Sequence, residues 1–158
     1  MRFLGIDPGT TRIGYGLIEH KNGLFTPVDF GLLPIDTEKD KLVGMGKSLA
    51  LLIKKTKPDI IAIEELFFTK NQKTAISVAE ARGVLKFISL ESGVEVREYG
   101  PREVKMAVTS NGVADKKSVA TMVAKILSLK KITGPDDISD ALAVALTAAF
   151  RYKFDSLK

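Results

Sequence analysis

Four acidic residues stand where acids are uncommon. Asp7 ends the apolar run 2–7, and Asp is depleted in strands. Alone, it reads as a turn residue in Asp7-Pro8-Gly9. Glu64 ends the apolar run Ile60–Ile63 with Glu65 beside it, which fits a strand reaching solvent. Asp137 and Asp140 open an apolar helical stretch three positions apart, so they project within about 60° of each other. Acids there also suit the positive end of a helix. Asp136, four from Asp140, competes as the partner, and spacing does not choose between Asp136 and Asp137. As a set the acids can converge at one end of a sheet, the usual place for sites in open α/β folds. Carboxylates at close range repel and raise each other's pKa. A hard divalent cation removes that repulsion, and oxygen-only ligands suit Mg²⁺ or Mn²⁺ rather than zinc. Two such ions would clamp the attacking and leaving oxygens of a phosphodiester displacement.

The rest of the composition narrows the chemistry by exclusion. The 158 residues include no Cys and a single His, His20. A thiol nucleophile, a disulfide framework and a His-built metal cage are therefore ruled out. Charged residues make up 27% and hydrophobic ones 45%, the usage of an ordinary globular domain rather than a disordered chain. The length predicts one domain over 1–158. The first residues reach a charge too soon for a signal peptide, and no apolar run approaches the ~18 residues of a membrane span. A soluble cytoplasmic protein with no membrane partner is expected.

The net charge of +5 is concentrated. Residues 97–131 hold eight basic residues, Arg102, Lys105, Lys116 and Lys117 among them, against three acids. Such a stretch is either a solvated helix face or a patch facing polyphosphate.

The elements that must position these residues follow from periodicity. Three strands, 2–7, 13–19 and 24–33, are joined by short turn signals, which predicts an antiparallel meander. Leu42, Met45, Leu49, Leu52 and Ile53 recur at helical spacing. Ile60–Ile63 is a fully apolar strand, as in a buried parallel crossover. Residues 71–90 predict a second long helix and 94–99 a last strand. Pro101 opens a short helix, and Asp115 caps the next. In the last helix Leu142, Ala145, Leu146 and Ala149 form the expected apolar stripe. The order predicts an α/β mixed five-stranded sheet with an antiparallel three-strand flank and helices on both faces.

Several of these pieces resemble one family. Gly5-Ile6-Asp7-Pro8-Gly9-Thr10 followed by Gly14-Tyr15-Gly16 is similar to the opening of RuvC-type Holliday-junction resolvases. Ala62-Ile63-Glu64-Glu65-Leu66-Phe67-Phe68 with Lys70-Asn71 resembles their second motif. Ala79-Glu80-Ala81-Arg82-Gly83-Val84 resembles the helix after it, and Asp137-Ile138-Ser139-Asp140-Ala141-Leu142-Ala143 their last acidic motif. The resemblance implies an RNase H-like fold, a homodimer, metal-dependent nicking of four-way DNA junctions, and work beside the RuvA–RuvB branch-migration complex. It makes Asp7, Glu64, Asp137 and Asp140 the catalytic metal ligands for two Mg²⁺ ions, with Mn²⁺ as substitute, and demotes Asp136 to a neighbour. Lys105 and Lys116 match DNA-facing basic positions; Lys117 and Arg102 add charge beside them. Phe67 matches an aromatic near the junction centre, and Glu65 stands where many relatives carry Gln.

Rival readings share parts of this pattern. The phosphate loop of sugar kinases and actin-like ATPases also fits Gly5–Thr11, but needs a second lobe. A YqgF-type RNase H-like nuclease acting on RNA shares the Asp-x-Gly start, without accounting for Glu64–Phe68 and Lys70-Asn71. A non-catalytic basic DNA-binding domain is a third. Ala75, Ala79 and Gly83 recur every four residues, which offers one helix face for close backbone approach. That face serves a two-fold dimer or packs on the chain's own sheet.

Overall fold

The computed structural model describes residues 1–35, 40–65 and 72–155. Strands β1 (Arg2–Asp7), β2 (Gly14–Lys21) and β3 (Leu24–Leu32) form the expected antiparallel meander. Asn22 and Gly23 close the second hairpin at φ 53° and 80°, the positive angles a two-residue turn requires. Strands β4 (Ile60–Glu64) and β5 (Glu95–Tyr99) add parallel to β1, giving the order β3-β2-β1-β4-β5.

The helices begin and end where local chemistry places them. In α1 (Lys41–Thr56) the Asp40 carboxylate accepts from the Leu42 N–H at 2.9 Å, and Lys57 ends it in a left-handed conformation before Pro58. Helix α2 is Gln72–Glu91. Pro101 occupies the first turn of α3 (Pro101–Thr109). Asp115 caps α4 (Lys116–Ile126), accepting from the Ser118 N–H at 2.7 Å. The last helix, α5, is Asp136–Asp155. No helix among the described residues is long and apolar enough to cross a membrane.

Period-two alternation divides the core into two layers. Leu4, Ile6, Leu17, Ile61 and Ile63 face α1 and α2, whereas Phe3, Ile18, Ile60 and Ala62 face α3, α4 and α5. On this second face α5 departs from the expected stripe. Every residue from Ala141 to Ala149 is buried, because the helix has the sheet on one side and α3 and α4 on the other. A helix enclosed on two sides is apolar all round, and its many alanines make that possible.

Glycines let α5 lie almost on the sheet. A Cβ at Gly5 would sit 2.1 Å from the Ala141 carbonyl oxygen and 2.5 Å from the Ala145 nitrogen. One at Gly16 would meet Leu142 at 2.7 Å. Helix α2, by contrast, keeps Ala79 and Gly83 off the sheet. Ala81, Leu85 and Ser89 point inward and are buried. Ala79 and Gly83 are exposed, and a Cβ at Gly83 would meet nothing within 4 Å. Packing of Ala79 and Gly83 on the chain's own sheet is thereby excluded. Ile76, Phe87 and Leu90 share their outward face at 62%, 62% and 55% exposure.

Candidate active site

Strand register brings the first two acids together. In β1, Phe3, Gly5 and Asp7 alternate onto the α5 face; in β4, Ile60, Ala62 and Glu64 do the same. The two strands are parallel neighbours, pairing Phe3 with Ile60 and Gly5 with Ala62. The next step along each strand is Asp7 beside Glu64, at the carboxyl ends where open α/β sheets bind ligands. The small Gly5 and Ala62 beneath them admit α5, whose first turns deliver Asp137 and Asp140 to the same end.

Asp7, Glu64 and Asp140 line one cleft of about 310 Å³, with Lys105 from α3 and Lys116 from α4 on its rim. Burial, then the charges of Glu64, Asp140 and Asp137, push the Asp7 carboxyl up to about 8. Burial first, and then Asp140, push Glu64 up to about 7, against the opposing pull of Lys116. Asp140 is raised as well, mainly by burial. Three neighbouring acids are thus held in a state that favours a proton or a cation over free negative charge.

The helix pair separates into distinct roles. Asp140 turns into the cleft. Asp137 lies against the β1–β2 turn, its Oδ1 3.8 Å from where a Cβ on Gly9 would sit. The Arg12 guanidinium stands 3.3 Å from Asp137 Oδ2, yet that oxygen is buried and accepts no hydrogen bond. Asp136 faces outward and binds Lys116, whose ammonium donates to Asp136 Oδ2 at 2.6 Å and to Asp140 Oδ2 at 3.2 Å. Lys116 holds the Asp136 carboxyl below its usual range, and Asp136 and Asp140 raise the pKa of Lys116.

A hard divalent cation fits this donor set. The ligands are all carboxylate oxygens, two of the groups resist ionising without a positive neighbour, and Asp137 adds a buried oxygen that accepts no hydrogen bond and has only the Arg12 charge beside it. Among the described residues no three acids already stand as a closed metal cage, and a cation would share Asp140 with Lys116 or displace that lysine.

Of the basic candidates, Lys105 and Lys116 reach the cleft. Lys117 points instead along the outer side of α4, and Arg102 is exposed, covering Gly112. Phe67, with Leu66, Phe68, Lys70 and Asn71, lies outside the described residues. Glu65 is exposed. The sequence reading missed Arg12, an exposed cation in the turn that follows Asp7; its signal was the turn itself, which has to run past the start of the last helix.

The family described as crossover junction endodeoxyribonuclease RuvC matches residues 3–148. A crossover junction endodeoxyribonuclease RuvC from Caldanaerobacter subterraneus subsp. tengcongensis is 47% identical over 149 residues, covering 92% of this chain and 90% of that one. The RuvC structure of Thermus thermophilus superposes with a TM-score of 0.87 at 32% identity, over 98% of this chain and 97% of that one. The same protein in complex with a Holliday junction substrate gives 0.86 at 30% identity, covering 98% and 96% of the two chains.

Proposed function

The chain belongs to the RuvC family of crossover junction endodeoxyribonucleases, and from that premise we propose that it resolves four-way DNA junctions by paired symmetric nicks in recombination and repair. The observation that carries this reading is the convergence of Asp7, Glu64 and Asp140 on one cleft whose rim is basic. Acids alone would repel a phosphodiester; Lys105 and Lys116 offset that repulsion where the backbone must enter.

The activity is metal-dependent. Asp7, Glu64, Asp137 and Asp140 would hold a pair of Mg²⁺ ions, with Mn²⁺ as substitute. Such ions would supply positive charge to stabilise the phosphodiester displacement. The protein's own groups do the rest. The sheet end fixes Asp7 against Glu64, the helix start sets Asp140 opposite them, and the buried walls Val104, Val119 and Ala143 exclude bulk water. Lys105 and Lys116 steady the phosphate, and Lys117, Arg102 and the stacking ring of Phe67 hold the DNA around it.

The reading includes a homodimer, because a junction offers two strands to cut and an isologous pair offers two matched sites. The outward face of α2 supports it. Work beside the RuvA–RuvB branch-migration complex follows from the same family resemblance.

The test is incubation with a synthetic four-way junction and Mg²⁺, with linear duplex and RNA as controls. Nicks confined to the junction are expected. Preferential cleavage of RNA would favour the YqgF-type alternative instead, and binding with no metal-dependent cleavage would leave only a DNA-binding domain.

A further inference from the structure

Away from the cleft, a groove of about 370 Å³ runs along the outer side of α4. Lys117, Thr121 and Lys125 line it at steps of four, one face of the helix. Its other wall is built by the chain turning back. Ser128 adopts a left-handed conformation at φ 54°, and the Leu129 N–H donates to the Ala124 carbonyl at 2.8 Å, a helix-ending turn that fixes the chain's direction. That turn brings Lys130 and Lys131 to the same groove. The floor is apolar, formed by Ala120, Ala124, Leu129 and Ile132.

The lysines here are not held in ion pairs. Residues 116–135 contain no Asp or Glu. Among the described residues none of Lys117, Lys125, Lys130 and Lys131 is ion-paired, whereas Lys116, at the head of the same helix, is held by two carboxylates. Four like charges gathered around one groove make a local positive excess that a polyanion would meet favourably. Lysine is depleted at protein–protein interfaces, while backbone phosphates are a usual partner of lysine clusters.

We propose that this groove binds the sugar–phosphate backbone of a junction arm beyond the cut, with Lys125, Lys130 and Lys131 holding its phosphates. The inference rests on the junction-cutting reading above. Lys125 lies about 13 Å along the helix from Lys116 at the cleft, which is roughly three to four base pairs of duplex. The arm held here is therefore the one that leaves the cleft past Lys116.

Two experiments test it. In the first, junction affinity is measured against salt for the wild type and for the combined variant Lys125→Gln, Lys130→Gln, Lys131→Gln. The variant should bind on the order of ten- to a hundredfold more weakly, and the slope of log K against log salt should shrink by about 0.9 for each lysine that had neutralised a phosphate. Its cleavage rate at saturating junction should be unchanged, since none of the three touches the cleft. In the second, the chain's lack of Cys allows Lys125→Cys to carry a thiol-linked photocrosslinker at one position. Crosslinks should fall in one arm, roughly three to four base pairs from the nick. An unchanged salt slope, or crosslinks absent from the arms, overturns the groove while leaving the activity standing. A wild type that makes no junction nicks would instead overturn the function on which the groove depends.

Discussion

Asp7 concentrates the conflict between stability and chemistry at a single residue. Its carboxyl moves from an ordinary value of 3.8 to about 8 on folding, and Glu64 moves from 4.5 to about 7. A raised folded-state value means that stability is fully present below the unfolded value and is lost as pH rises through the folded one. With a chelator present, the melting temperature should therefore fall from about pH 4 towards pH 8, and Mg²⁺ should restore most at the alkaline end. Asp7→Asn removes the buried charge while keeping its size. At pH 8 in chelator this variant should melt several degrees higher than the wild type, and it should not cleave. A wild-type melting temperature that is flat with pH would remove the basis for this reading. Asp136→Asn is a contrasting case. It breaks the 2.6 Å pair with Lys116, but both groups are well exposed, so the stability change should stay under about 1 kcal/mol. Junction cleavage should survive Asp136→Asn and vanish in Asp137→Asn and Asp140→Asn. If Asp136→Asn is dead and Asp137→Asn active, the assignment of the helix pair is wrong. Spacing alone left that pair open; Asp137 beside the β1–β2 turn and Asp136 on Lys116 are facts of tertiary approach, which a linear sequence does not display.

At the scale of elements, legibility followed locality. Strand β1 is readable to its last residue because an apolar run ends abruptly at Asp7-Pro8-Gly9, and Asn22-Gly23 announces its hairpin through the angles it needs. The surroundings of α5 were not readable. A run of alanines with a few large residues fits one buried stripe as well as a helix enclosed on two sides, and only the second helix layer decides between them. Nor do Gly5 and Gly16 reveal from the sequence that a helix backbone rests on them. Gly5→Ala tests that approach. The added methyl would meet backbone atoms at 2.1 and 2.5 Å, which cannot rotate away as a side chain would. The substitution should cost about 3 kcal/mol or more in a urea titration, at the upper end of overpacking effects. Because α5 carries Asp137 and Asp140, cleavage should fall further than the loss of folded protein explains. A Gly5→Ala protein of normal stability and activity would show that α5 does not rest on β1 as described.

For the whole molecule, the proposed homodimer turns on the outward face of α2. Ile76, Ala79, Gly83, Phe87 and Leu90 follow one another at steps of three and four, the spacing of a single helix face. Ile76 and Phe87 are each 62% exposed, and no part of the described chain covers them. In the proposed pair the small residues between them would let a second backbone come close, and the large ones at either end would supply apolar area to a two-fold interface. A stable interface needs about 800 Å² from each partner, more than one stripe provides. The proposed interface would need further apolar area, and α1 offers it in Leu51 and Val43, exposed at 68% and 50%. Sedimentation at working concentration should show a dimer for the wild type. Ile76→Glu combined with Phe87→Glu should give a monomer with a melting temperature within a few degrees of the wild type at low concentration, since neither side chain belongs to the chain's own core. That monomer should lose paired nicking of one junction far more than it loses isolated nicks, because each cleft is built within one chain and only their pairing needs the partner. A wild-type monomer that still nicks both strands together would overturn the interface.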